Sequence, residues 1–160
     1  MPLIKGRKPV RVIRVVDGDT IKVKIDGRVE RVRFLYVDTP ELNAVNLLEH
    51  FKALEAKRYI VSQLKKAKQV YIEQGKLNRD QYGRLLAHVY VDDQHLQKLL
   101  LRKGLAKCIF PKKARGIKEE IKVLDEFKRI EEKAKQENRG IWQYEQAGGT
   151  MINRVRKIRN

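Results

Sequence analysis

Acid is scarce in this chain of 160 residues: 20 Asp and Glu stand against 37 Lys and Arg, for a net charge of +17. So one-sided a balance favours a polyanion as partner, over the alternative of a solvated, thermophile-like charged surface. Arg154, Arg156, Lys157 and Arg159 contribute to that excess from a segment, 150–160, that carries no acid. They are too few to account for it. Cysteine occurs once, at Cys108, which excludes a disulfide within the chain and a cysteine-based zinc site. Its expected state is a buried structural thiol. The three histidines, His50, His88 and His95, lie far apart without ligand spacing and are read as surface or half-buried side chains. No apolar run approaches the length needed to cross a bilayer, so no membrane partner is expected. Residues 1–8 carry the charge of a signal peptide without the apolar segment that should follow. The expectation is a cytoplasmic protein, with secretion the alternative had a leader been removed.

What is present is a small globular pattern of one-domain size. Val10, Val12, Ile13, Val15 and Val16 predict a first strand buried on both faces. Ile21, Val23 and Ile25 alternate with Lys22, Lys24 and Asp26, the signature of a half-buried strand. Asp26-Gly27 marks a hairpin, and a third strand follows over Val29–Val37. Leu47, Phe51, Leu54, Val61 and Leu64 predict an amphipathic helix over about 48–66. Val70 and Ile72 open a fourth strand. Residues 75–83 read as a polar loop, and Leu85–Val91 as a fifth strand. Asp92 or Asp93 is expected to cap a short helix carrying Leu96, Leu99 and Leu100, which ends at Gly104. Residues 105–116 read as irregular. Ile117, Ile121, Leu124, Phe127, Ile130 and Ala134 define a longer helix that stops at Gly140, after which Trp142 is expected to fold back on the core. The fold class is α+β: a five-stranded, OB-type β-barrel packed with three α-helices, an architecture that commonly binds nucleic acid. The expected division is a basic N-terminal arm (1–9), the barrel domain (10–147) and a basic, disordered tail (148–160) set off by Gly148-Gly149.

The acid that exists is clustered. Asp17-Gly18-Asp19-Thr20 sits at a turn between strands, and Asp38-Thr39-Pro40-Glu41 follows a third strand containing Arg33. Neighbouring strands can bring Asp19 and Asp38 to one rim, where two carboxylates, the Thr39 carbonyl and water form an oxygen shell for a hard cation. For the tetrapeptide taken alone, a plain Asp-Gly turn is the competing reading. Glu41 is placed to orient or deprotonate a water, unless it is simply a loop glutamate. Arg33, and Arg84 in Asp80-Gln81-Tyr82-Gly83-Arg84, suit bidentate contacts to a phosphate that gains charge. Tyr82 can donate to a terminal phosphate or stack on a base.

The order Asp-Gly-Asp-Thr, then Arg-x-x-x-x-Asp-Thr-Pro-Glu, then Asp-x-Tyr-Gly-Arg resembles the staphylococcal nuclease (thermonuclease) family. The likeness runs from about Val12 to Trp142 and takes in Glu55-Ala56, Gly104-Leu105-Ala106-Lys107 and Gly140-Ile141-Trp142. It implies calcium-dependent hydrolysis of DNA and RNA by water attack on phosphorus, leaving 3′-phosphates. Asp19, Asp38 and Thr39 would hold the metal, Glu41 would act on the water, Arg33 and Arg84 would bind the reacting phosphate, and Tyr82 would contact a terminal phosphate. Spacing alone also accommodates magnesium or manganese. The chain departs from the family in having Gln81 where a lysine precedes the tyrosine, and Cys108-Ile109-Phe110-Pro111-Lys112 where two tyrosines approach the base. Phe110 retains the ability to stack there. The segment from Leu42 to His50 is more apolar than the family's lysine-rich loop, which bears on substrate entry and on internal versus end cutting. A monomer acting on single-stranded DNA or RNA, with no protein partner, is the resulting expectation. The rivals are a non-catalytic nucleic-acid-binding module of the same fold and a small basic ribosome- or chromatin-associated protein. Removing residues 150–160 should weaken binding and leave metal-dependent turnover intact. Complete loss of turnover in that truncation contradicts this.

Overall fold

The computed structural model describes residues 6–143. The tail expected over 148–160 and most of the N-terminal arm lie outside them. Eight strands and three α-helices follow in the order β1 (Lys8–Asp17), β2 (Thr20–Ile25), β3 (Arg28–Phe34), β4 (Val37–Asp38), α1 (Leu47–Lys66), β5 (Val70–Arg79), β6 (Leu85–Val91), β7 (Gln94–His95), α2 (Leu96–Arg102), β8 (Lys107–Cys108) and α3 (Lys118–Gln136), with a 3₁₀ turn at Lys112–Ala114. The main sheet runs β3-β2-β1-β5-β6-β7, and a parallel pairing of β3 with β6 closes it on itself. Strands β1, β2, β3, β5 and β6 thus form the expected five-stranded barrel, which leaves few exposed edges. Lys8 and Pro9, placed in the arm by the sequence, already pair with Ile72 and Tyr71 of β5.

Alternation fills the barrel. Ile21, Val23 and Val32 are completely buried and Phe34 nearly so, because successive side chains on a strand face opposite ways. β1 differs from its expected two-sided burial: Ile13 is 47% exposed. Register shifts after Val12 and after Val15 mark bulges, each adding a residue that the partner strand does not match. Residues 75–79 are strand rather than loop, since β5 continues to Arg79 opposite Leu85. Their polar character reflects a hairpin arm that projects beyond the core. Asp92 does not cap α2. It adopts φ +56° and accepts from the backbone N–H groups of Lys68 and Gln69 at 3.0 Å, tying two loops together. The residue before α2 is His95, which makes no side-chain cap.

α1 buries a different stripe from the one its large apolar residues mark, whereas α3 buries its expected one at Leu124, Phe127 and Ala134, with two glutamates beside it. α1 buries Ala53, Ala56 and Ile60, while Leu47 and Phe51 are exposed. α3 buries Glu120, Leu124, Phe127, Glu131 and Ala134. Two glycines seat the end of α3 against the end of α2. A Cβ at Gly104 (φ +72°) would lie 2.2 Å from the Arg139 carbonyl oxygen, and one at Gly140 (φ +53°) would lie 2.2 Å from that of Gly104. Trp142 is buried as expected, in a satellite cluster with Ile141 and Ala134.

Strands β6 and β7 bring two histidines together that the sequence separates. His88 Nδ1 lies 3.1 Å from His95 Nε2, so one ring donates and the other, as acceptor, must be neutral. Burial holds His88 down to about 4 and His95 to about 2, with His88 as the next influence on His95. Below pH 6.5 the unfolded imidazoles take up protons that the folded ones refuse, so stability falls as pH falls through that window. The stability advantage of the parent over His95→Gln should shrink between pH 7 and pH 5, by about 1.4 kcal/mol per pH unit below the ordinary imidazole value. Urea unfolding at each pH measures it, and a constant difference excludes the buried neutral pair.

Candidate active site

The two acidic clusters meet at one rim of the barrel. The β1–β2 turn is tight because Asp17 pairs with Thr20, and the Asp17 carboxylate accepts from the Asp19 N–H at 3.0 Å. Gly18 is required by space: a Cβ there would meet Thr39 Oγ1 at 2.7 Å and the Ala56 methyl at 2.9 Å. The turn therefore lies directly against β4's end and α1, which explains why α1 presents alanine at that point. Asp19, 7% exposed, accepts from Thr39 N–H at 3.2 Å and Thr39 Oγ1 at 3.1 Å through one oxygen, and from Thr20 Oγ1 at 3.1 Å through the other.

Arg33 joins the two carboxylates. Its Nη1 donates to the carbonyls of Phe34 at 2.9 Å and Val37 at 2.7 Å. Its Nη2 lies 3.3 Å from Asp38 Oδ1 and 3.6 Å from Asp19 Oδ2. The side chain that the sequence marks as a free phosphate fork is thus already a staple across the rim. Arg84 is oriented differently. Asp80 accepts from its Nε at 2.7 Å and from its backbone N–H at 2.9 Å, while Nη1 reaches Thr20 Oγ1 at 3.5 Å. Nη2 has no protein acceptor among the described residues. Tyr82 is 66% exposed beside it, with the Arg84 guanidinium 5.4 Å from its ring.

These side chains line one open polar cleft of about 410 Å³. Asp17, Asp19, Arg33, Asp38, Thr39, Glu41 and Arg84 all face it, closed on one side by Leu42 and Asn43. Tyr82 stands outside that lining. So does Phe110, whose ring packs on the core and lies under Arg115, 5.9 Å from the guanidinium carbon. Val45, Leu47, Leu48 and Phe51, which follow Leu42 and Asn43 in the chain, are exposed. Asn46 caps α1 there by accepting from Leu48 and Glu49 N–H groups.

The electrostatics show an excess of carboxylate. Burial, reinforced by Asp19, pushes the Asp17 carboxyl up to about 6. Burial also raises Asp38, partly offset by Arg33 and increased again by Asp19 and Glu41. For Asp19, burial is outweighed by Arg33 and the hydrogen bonds it accepts, which hold it below the usual range. Four carboxylates thus face a cleft with two guanidinium groups, one of them already paired with Asp80. The donor set is all oxygen, which suits a hard cation and not a soft one. Among the described residues no group of three or more His, Cys, Asp and Glu side chains converges as a ligand cluster. An ion bound by Asp19 and Asp38 must complete its shell from main-chain and water oxygens, as the expected use of the Thr39 carbonyl supposes.

Sequence reading overlooked Asp80, Asp17 as a cleft residue, and Glu120. Glu120 accepts from the Tyr36 hydroxyl and, at 3.0 Å, from the Lys76 N–H. It thereby fixes Tyr36, which holds φ +63° in the bend leading to β4. The carboxylate positions of Asp80 and Asp17 beside motif residues were the available signal. Nothing local distinguishes Glu120 from a surface glutamate. Cys108 is half-buried, its thiol pushed up to about 11 by burial and then by Glu131.

A closed β-barrel whose rim gathers carboxylates and arginines defines a small α+β protein of the OB type with an acid-and-guanidinium cleft. Residues 31–144 match the family described as staphylococcal nuclease homologue, and the chain belongs to that family. It is 39% identical over 134 residues to the SPbeta prophage-derived endonuclease YokF of Bacillus subtilis (strain 168), covering 83% of this chain and 43% of that protein. It is 37% identical over 134 residues to endonuclease YncB of the same organism, covering 83% and 61%. The thermonuclease of Staphylococcus hyicus is 38% identical over 100 residues, covering 62% and 59%. The chain thus spans roughly half the length of the curated relatives it matches.

Gly18→Ala tests the packing that positions the rim. It should cost about 1–3 kcal/mol in urea unfolding, as overpacking does, because Thr39 and Ala56 must both yield. An unchanged midpoint would show that the turn does not depend on this contact.

Proposed function

We propose that this chain is a metal-dependent nuclease that hydrolyses phosphodiester bonds in DNA and RNA, with preference for single strands. The observation that carries this reading is the single cleft in which Asp19, Asp38 and Glu41 meet Arg33 and Arg84 in a chain of net charge +17. The endonuclease and thermonuclease names of its relatives support it.

A hard cation held by Asp19, Asp38 and the Thr39 carbonyl, calcium by family resemblance, would supply positive charge for phosphate oxygens and for water. Arg84, aligned by Asp80, presents Nη2 to a phosphate oxygen as the phosphorus gains a bond. Arg33 bridges Asp19 and Asp38 and adds charge at the same point. Glu41, exposed at the cleft, orients the attacking water and accepts its proton. The 5′ oxygen departs and takes up a proton from solvent, leaving a 3′-phosphate. Tyr82, beside Arg84, donates to a terminal phosphate. Contacts of this kind read phosphate and not base, so sequence selectivity is weak.

Incubation with single-stranded DNA and with RNA, in calcium, in magnesium and in excess chelator, tests the proposal. Calcium-dependent cleavage to 3′-phosphate ends is expected, abolished by chelator. Glu41→Gln should lower the rate by about 10²–10⁴-fold and Arg84→Ala by about 10²–10³-fold, with unfolding midpoints close to the parent. Tight, salt-sensitive binding with no cleavage in any metal would make the barrel a binding module.

A further inference from the structure

The outer face of the β1–β2–β3 sheet carries an uncompensated positive charge that the cleft does not use. Strand register sets Arg11 opposite Lys24, Arg14 opposite Lys22, and Lys22 opposite Arg31. Like charges placed directly across a ladder destabilise it. The bulge after Val12 increases the crowding. Arg11 and Arg14, three apart, would fall on opposite faces of a regular strand, but the extra residue lets both face their cationic partners. None of these five side chains pairs with a carboxylate among the described residues. The helical side of the molecule is different. There Lys98 meets Glu126 at 2.7 Å, and Lys128 and Lys135 meet Glu131 at 3.4 and 3.6 Å.

Two further features give this face a direction. Arg31 precedes Arg33 by two residues on the same side of β3, about 6.7 Å along the strand, so the row of cations leads into the cleft. At the other end Arg11 and Lys24 line a second open groove together with Lys68. Exposed Val29 and Ile13 stand among the charges and offer apolar surface to sugars and bases.

Resting on the nuclease reading, we propose that this face is a second binding track, on which a single-stranded nucleic acid continues after leaving the cleft, past Arg31, Lys22 and Arg14 toward Arg11 and Lys24. A strand of phosphates relieves the repulsion that the register builds in, and the row is continuous with the site where one phosphate is held. The general use of the β2–β3 face by OB barrels for oligonucleotides agrees with this placement.

The test compares the full chain with a face variant, Arg14→Gln/Lys22→Gln/Arg31→Gln, and with a charge-matched control on α3, Lys118→Gln/Lys122→Gln/Arg129→Gln. Fluorescence anisotropy with a 30-nucleotide strand and with a trinucleotide, in chelator, reads binding without turnover. For the long strand the face variant should bind on the order of tenfold more weakly than the control, with a salt slope smaller by about 2. For the trinucleotide the two should agree within about twofold. The face variant should unfold at the same or higher urea concentration, since like charges have been removed. Equal affinity and equal salt slope of the face variant and the control for the long strand would overturn the proposal. Because no cleavage is measured, a failure of the nuclease reading appears separately, as absence of turnover by the parent in every metal.

Discussion

The rim of this barrel depends on the Asp19 carboxylate. It is almost wholly buried, and three donors from Thr20 and Thr39 converge on it. Without those bonds the buried Asp19 charge would have only Arg33 for a partner, and its remaining lone pairs would be unsatisfied at a cost in stability. Arg33 completes the arrangement by touching Asp19 and Asp38 and by capping the carbonyls of Phe34 and Val37. Structural and chemical duties fall on the same atoms. The fixed geometry that the proposed cation and phosphate contacts would require is obtained from the bonds that hold the turn.

A second support comes from far along the chain. α3 places two buried carboxylates on its core face, among Leu124, Phe127 and Ala134. Glu120 holds the Tyr36 hydroxyl and the Lys76 amide, and Glu131 accepts from the Cys108 amide of β8, the strand that pairs with β4. Each satisfies backbone or phenol groups that burial would otherwise leave without partners. The bend from β3 into β4, and so the placement of Asp38 and Glu41, is braced by a helix over 80 residues away in sequence.

Charge is distributed in keeping with this organisation. Acid is concentrated where a cation would neutralise it, and the surrounding strands carry base. A cleft with surplus carboxylate would repel a polyanion by itself. The wider positive field would offset that repulsion for such a partner.

The identity of the barrel strands, the three helices and most of the charged cleft residues were legible in the sequence, because alternation and helical period report local geometry and the acid-and-arginine order is specific. Ile21 and Val23 declared an inward face, and Asp19, Arg33, Asp38, Thr39, Glu41 and Arg84 do meet in one cleft. The stripe that α1 buries was not legible. Leu47 and Phe51 outrank Ala53 and Ala56 in hydrophobicity, yet only alanine fits where the helix meets Gly18. Phe110 looked available for stacking and lies on the core instead. The His88–His95 contact and the role of Glu120 were likewise invisible, since each needs segments that only strand pairing or helix docking brings together. The sequence by itself determined which acids and arginines belong together, through their chemistry and spacing. The tertiary structure decided which of them are already engaged: Arg33 is committed to the rim, while one edge of Arg84 has no protein acceptor among the described residues. Hydrogen-bond partners are set by distance in space, and a linear chain does not state that distance.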